Sequence, residues 1–155
     1  NQRKINEDFI LNQKQFIDSD ILISKKNFGC GSSREHAVWS LMDYGFRVVI
    51  AESFAEIFYN NCFNNGLLPI SVSSEEIKTL LRLSNEQKQL EIDLMNQIIF
   101  SEDNEIAHFD IDPFRKKCIL EGLDEIGQSL THSKIIEEFE KKREMESPWI
   151  FKNEY

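Results

Sequence analysis

The sequence predicts a mixed α/β domain, and three observations carry that prediction. An apolar run, Ile21-Leu22-Ile23, leads into a glycine-rich loop. A helical repeat of apolar residues follows and then a second run, Val48-Val49-Ile50, which together is the pattern of a strand–helix–strand unit. Further on, Leu90, Ile92 and Leu94, and then Ala107, Phe109 and Ile111, alternate with polar residues at the period of half-buried antiparallel strands. Finally, 155 residues with 41% hydrophobic content suit one domain, residues 1–155, able to enclose its own core. These periodicities do not by themselves set the topology.

The chain opens with a polar segment, Asn1 to Ser19, interrupted by Phe9-Ile10 and Phe16-Ile17. After the first strand and the loop, a helix is predicted from about Arg34 to Tyr44, with Val38, Leu41 and Met42 inward and Gly45 as its stop. Arg47 to Ala51 is predicted as a strand. Ser53 is expected to cap a second helix that carries Phe54, Ile57, Phe58 and Cys62 on its core face and ends at Gly66, ahead of a short strand from Pro69 to Val72. Ser73 and Glu76 have the spacing of a capping box, and the helix they start places Ile77, Leu80 and Leu81 inward before ending near Asn85. Ser101-Glu-Asp-Asn104 reads as a turn between the antiparallel strands. Asp112-Pro113 is a cap followed by proline at the first helical position, and that helix runs to Gly122. A last helix, capped near Thr131, is predicted with Ile135, Ile136 and Phe139 inward and with Glu137–Lys141 and Glu138–Lys142 as exposed pairs. Residues 147–155 read as a tail from which Trp149 and Phe151 are available to dock.

A formal net charge of -9 and a sequence pI near 4.9 argue against nucleic acid or an anionic membrane surface as partner. No apolar stretch has the length of a membrane span and no signal-peptide core follows Asn1, so the cytoplasm is the expected compartment. Cys30, Cys62 and Cys118 are odd in number and widely spaced, which suits reduced thiols. They form no Cys-x-x-Cys pair and no metal-ligand spacing with His36, His108 or His132, so neither a cluster nor a metal is expected on this chain alone.

The loop Asn27-Phe-Gly-Cys-Gly-Ser-Ser-Arg-Glu-His-Ala37 concentrates the chemistry. Gly29 and Gly31 permit unusual backbone angles, Ser32 or Ser33 is placed to act as N-cap, and the first turn of the helix is expected to present free N–H groups to an acidic guest. Arg34 adds a planar fork of donors suited to a carboxylate or phosphate. Cys30 sits where a thiolate is favoured, or simply fills a tight turn. The same residues are compatible with a plain capped turn. They also fit part of a Gly-x-Gly-x-x-Gly dinucleotide fingerprint, with Glu52 as the ribose-binding acid, although Arg34 stands where that fingerprint needs its third glycine.

The whole stretch from Asn27 to Ala37 resembles the signature of 3-isopropylmalate dehydratase small subunits, relatives of aconitase in leucine biosynthesis. Asp43-Tyr-Gly-Phe-Arg-Val-Val-Ile50, Ser53-Phe-Ala-Glu-Ile-Phe58, Asn64-Asn-Gly-Leu-Leu-Pro69 and Gly122-Leu-Asp-Glu-Ile-Gly127 agree in the same order. The resemblance covers roughly residues 8 to 135 and implies the swivelling β/β/α domain that ends the aconitase chain, an α/β fold of mixed sheet with flanking helices. It further implies a hydro-lyase that isomerises 2-isopropylmalate and 3-isopropylmalate by dehydration and rehydration, active only with a large subunit that carries a [4Fe–4S] cluster. By the same likeness Ser32 is the proton-transfer residue, Gly31, Ser33 and Arg34 bind the dicarboxylate substrate, and Cys30 and Asn61 give support, Asn61 either as a polar clamp on the neighbouring loop or as a plain helix-end contact. In the resembled family an Asp-Thr-Asp-containing segment and a loop associated with substrate choice come before this region. The chain, which opens without methionine, is expected to lack that N-terminal segment, which leaves homoaconitate and citraconate open as alternative substrates. A noncatalytic anion-binding module is the alternative outside enzymology.

Overall fold

Ile21–Ile23 (β1), Val48–Ala51 (β2) and Leu68–Ser71 (β3) form a parallel sheet with β2 in the centre. Ile50 pairs with Ile23 on one side and Ile70 on the other. The structure, a computed structural model, describes residues 6–31, 33–123 and 125–151. The chain falls into two compact units, residues 1–122 and 123–155.

In the first unit the parallel sheet is covered on both faces, which is why β2 reads as an unbroken apolar run: Val49, Ile50 and Ala51 are fully buried. Strand alternation sends Val49 into a cluster with Val38, Phe46, Phe58, Cys62 and Leu67, built with His36–Tyr44 (α1) and Glu56–Asn65 (α2). Ile50 enters a second cluster with Ile70, Ile77, Leu80, Ile99 and Phe109. There the partners are Ser74–Asn85 (α3) and an antiparallel sheet of Glu91–Asp93 (β4), Ile98–Ser101 (β5) and Asn104–His108 (β6). Each fully buried aliphatic or aromatic side chain in these clusters contributes about 1.5–3 kcal/mol of transfer free energy. Parallel and antiparallel strands thus form two separate sheets rather than one mixed sheet.

Local signals placed the element ends well where the partner lies within a few residues. The Ser73 N–H donates to Glu76 Oε2 (2.7 Å) and the Glu76 N–H to Ser73 Oγ (3.3 Å), the expected capping box of α3. Asp112 Oδ1 accepts from the Arg115 N–H at 3.0 Å at the start of Pro113–Glu121 (α4). Glu102 and Asp103 adopt positive φ (49° and 65°), the handedness a two-residue hairpin turn requires.

Three expectations are corrected. α2 begins at Glu56 with Ala55 before it and no side-chain cap, because Ser53 is engaged by the loop that follows β1; Ile57 faces solvent. The last helix is two, Glu125–Leu130 (α5) and Ser133–Glu146 (α6). His132 precedes α6, and the Thr131 hydroxyl donates back to the Gln128 carbonyl (2.6 Å). Ile135, Ile136 and Phe139 are exposed (65%, 40% and 64%), as are Trp149 and Phe151. A unit of two helices and the turn Pro148–Ile150 is too short to enclose a core of its own. The i,i+4 ion pair on α6 is Lys142–Glu146, at 3.9 Å. No helix among the described residues is long and apolar enough to cross a membrane.

Candidate functional site

The loop of residues 24–35 leaves the C-terminal edge of the parallel sheet and is fastened to the segment that leaves the next strand. The Ser24 N–H donates to the Ile50 carbonyl (2.8 Å), carrying the pairing one residue past β1. Asn27, in left-handed conformation (φ 62°), donates its N–H to Ser53 Oγ at 2.9 Å. Phe28 then bridges Phe54 in parallel fashion: its N–H donates to the Ser53 carbonyl (2.9 Å) and its carbonyl accepts from the Ala55 N–H (2.8 Å). The Phe28 ring meets Phe54 and Phe58 edge-on, at centroid distances of 6.1 and 5.3 Å.

Gly29 comes next, at φ 82°, and a β-carbon there would lie 2.3 Å from Phe58 Cγ. Only glycine fits this contact between loop and α2. Gly31 differs from expectation: its φ is not left-handed and nothing lies within 4 Å of the space a β-carbon would take, so its backbone freedom is not used. Absence of a side chain there leaves the loop backbone open to a ligand.

α1 begins at His36, later than expected, and Glu35 rather than Ser33 stands before it, without a side-chain cap. The N–H groups of Ala37 and Val38 donate to the carbonyls of Arg34 (3.1 Å) and Glu35 (2.9 Å) in a tight lead-in turn. Two donors expected to be free for an anion are therefore occupied. Cys30, Gly31, Ser33, Arg34, Glu35 and His36 are all exposed. Ser32 lies outside the described residues. The exposure of Cys30 removes the reading in which its thiol fills the turn.

Behind the loop, Asn65 at the end of α2 makes the link to α1. Its Nδ2 donates to Glu35 Oε1 (2.7 Å) and to the Asn61 carbonyl (2.8 Å), while its Oδ1 accepts from Trp39 Nε1 (2.8 Å). Asn61 itself is half-buried one turn earlier, and its main-chain carbonyl is what takes part. Cys62 is buried against Phe58 and Val38, and burial pushes its thiol up to about 12. Surface cavities of about 540, 440 and 660 Å³ lie elsewhere and involve none of residues 27–36. No group of three His, Cys, Asp or Glu side chains able to hold a metal gathers among the described residues. The arrangement is an exposed loop whose base is bonded to the segment that follows β2.

Comparison with known proteins decides the family. Residues 1–75 match the family model of the aconitase C-terminal domain, and residues 125–153 match that of the C-terminal domain of 3-isopropylmalate dehydratase small subunits. A 3-isopropylmalate dehydratase small subunit of Neisseria meningitidis serogroup B is 52% identical over 152 residues, 97% of this chain and 71% of the relative. That of Nitrosomonas eutropha is 52% identical over 151 residues, again 71% of the relative. The chain belongs to the 3-isopropylmalate dehydratase small-subunit family. The crystal structure of 3-isopropylmalate dehydratase from Methanocaldococcus jannaschii, 33% identical, superposes with a TM-score of 0.57 over 79% of this chain and 70% of that one. The aconitase-like α/β fold expected from the loop signature is therefore the fold of this family member.

Three contributors to the site escaped the sequence reading. Ser53 read as a helix cap and Phe58 as ordinary core, and Asn65 carried no role of its own in the helix that ends at Gly66. Each acts on the loop across some 26 to 30 residues of chain, a distance at which no spacing rule operates.

Proposed function

We infer that this chain works as the small subunit of 3-isopropylmalate dehydratase, a hydro-lyase that interconverts 2-isopropylmalate and 3-isopropylmalate in leucine biosynthesis. The observation that carries this reading is the 52% identity, over 97% of the chain, to small subunits of that name. The exposed loop agrees with it: Gly31, Ser33 and Arg34 lie at the surface, where nothing among the described residues excludes water from them. The missing wall is assigned to the large subunit.

Dehydration removes a hydroxyl from one carbon and a proton from its neighbour to give 2-isopropylmaleate, and water is then returned with the opposite placement. In this proposal Ser33, Arg34 and the Gly31 backbone hold a substrate carboxylate, with the Arg34 fork setting its plane. Ser32 exchanges the proton, its alkoxide stabilised by the positive charge of Arg34 and the N-terminal end of α1. Among the described residues no group of three His, Cys, Asp or Glu side chains gathers that could hold an iron–sulfur cluster. The Lewis acid that assists the departing hydroxyl is assigned to a [4Fe–4S] cluster on the large subunit. The complex is placed in the cytoplasm.

Combining the chain with a cluster-loaded large subunit tests the reading. Turnover of 3-isopropylmalate well above that of homoaconitate or citraconate is expected. Preference for either of the latter moves the chain to a sister activity, and anion binding without turnover of any of them overturns the enzyme assignment.

A further inference from the structure

We infer that Asn65 is a positioning residue for the substrate loop, which works by holding the Glu35 carboxylate on α2 and away from the anion site. This rests on the function proposed above.

Glu35 follows Arg34 directly and stands just before α1. A carboxylate there is adjacent in sequence to Arg34, which the proposed function gives to the substrate carboxylate. The structure shows it turned to the amide of Asn65, with Glu35 Oε1 accepting from Nδ2 at 2.7 Å. The orientation of that amide is dictated by chemistry. The indole N–H of Trp39 can only donate and is 2.8 Å from Oδ1, so Nδ2 must face the carboxylate, and its second hydrogen goes to the Asn61 carbonyl at 2.8 Å. Both amide donors and the acceptor are used, by an acid at the loop, a helix side chain and a backbone carbonyl. Asn65 thus fixes the loop end and removes a competing negative charge from it.

A purely structural clamp and a charge-holding device predict different double-mutant behaviour. If Asn65 holds the charge away, Asn65→Ala releases the Glu35 carboxylate, and KM for 3-isopropylmalate in the reconstituted complex rises about tenfold with kcat little changed, the scale of one lost hydrogen bond to a charged group. Adding Glu35→Gln, which removes the charge and keeps an acceptor, restores KM. Cys30 supplies a second readout without turnover, because it is the exposed thiol while Cys62 and Cys118 are buried. The ratio of its reaction rates with an anionic and a neutral aromatic disulfide falls severalfold in Asn65→Ala and recovers in the double variant. If Asn65→Ala does not fold, Trp39→Phe, which removes only the donor that orients the amide, is read in the same way with smaller shifts. KM and thiol ratio both at wild-type values beside a lowered melting temperature, or failure of Glu35→Gln to restore them, overturns the inference. If the wild-type complex turns over no isopropylmalate, the functional reading falls and the Cys30 ratio alone decides the role of Asn65.

Discussion

Gly29 rests on the ring of Phe58, with 2.3 Å between Phe58 Cγ and the point where any side chain at 29 would begin. That contact sets the height of the candidate loop above α2. Ser53, bonded to the Asn27 N–H two residues earlier, sets its lateral position. The loop is thereby fastened at its base and open at its tip, where Gly31, Ser33 and Arg34 are exposed.

Substitution at the two loop glycines should separate stability from function. Gly29→Ala combines a left-handed backbone with a clash against Phe58 and should cost about 3 kcal/mol, read as a loss of several degrees in melting temperature. Gly31→Ala meets no neighbour and should leave stability within about 0.5 kcal/mol. With substrate held against the loop backbone at 31, the second variant should nevertheless raise KM in the complex. Equal melting losses at both positions would contradict this account of the loop.

Ser32→Ala should lower turnover by about 10²- to 10⁴-fold, the range of a positioned acid–base group, with KM nearly unchanged. A variant that turns over normally returns Ser32 to a structural role and moves the base elsewhere in the complex. Melting temperature measured in parallel separates the two outcomes.

Arg34→Lys keeps the charge and loses the planar pair of donors. KM should rise about tenfold or more, since a single ammonium cannot hold a carboxylate in plane. An unchanged Michaelis constant would place Arg34 outside the carboxylate site.

Thiol chemistry checks the packing of α2 independently of any activity. Cys30 should react with a disulfide reagent within minutes in the folded chain, whereas Cys62 should require unfolding, being fully buried with a thiol pushed up from 9.0 to about 12. The sign of the linked stability follows from that direction. The folded state favours the protonated thiol, so the contribution is complete below the unfolded value and is lost as pH rises from about 9 toward about 12. Cys62→Ser should flatten that alkaline loss in a pH series of melting temperatures. A Cys62 that reacts as fast as Cys30 would contradict the buried placement.

Much of the scaffold was determined by the sequence alone, through interactions that close within one helical turn or one strand period. Ser73 and Glu76 find each other three residues apart, Asp112 caps a helix that Pro113 begins, and Val48-Val49-Ile50 announces a strand buried on both faces. The loop signature likewise carried the family and the candidate residues Gly31, Ser32, Ser33 and Arg34. What tertiary structure decided is how that loop is held. Ser53 serves Asn27 instead of α2, Asn65 reaches the loop at Glu35, and Ala37 and Val38 spend their N–H groups in a turn that delays α1. The same holds for Ile135 and Phe139, apolar at helical spacing yet exposed, since periodicity marks a face without supplying anything to cover it. A hydrogen bond across 26 or 30 residues exists only because β1 and β2 lie side by side and bring the segments that follow them to one edge. Such proximity is a property of the assembled sheet and is written in no single stretch of the chain.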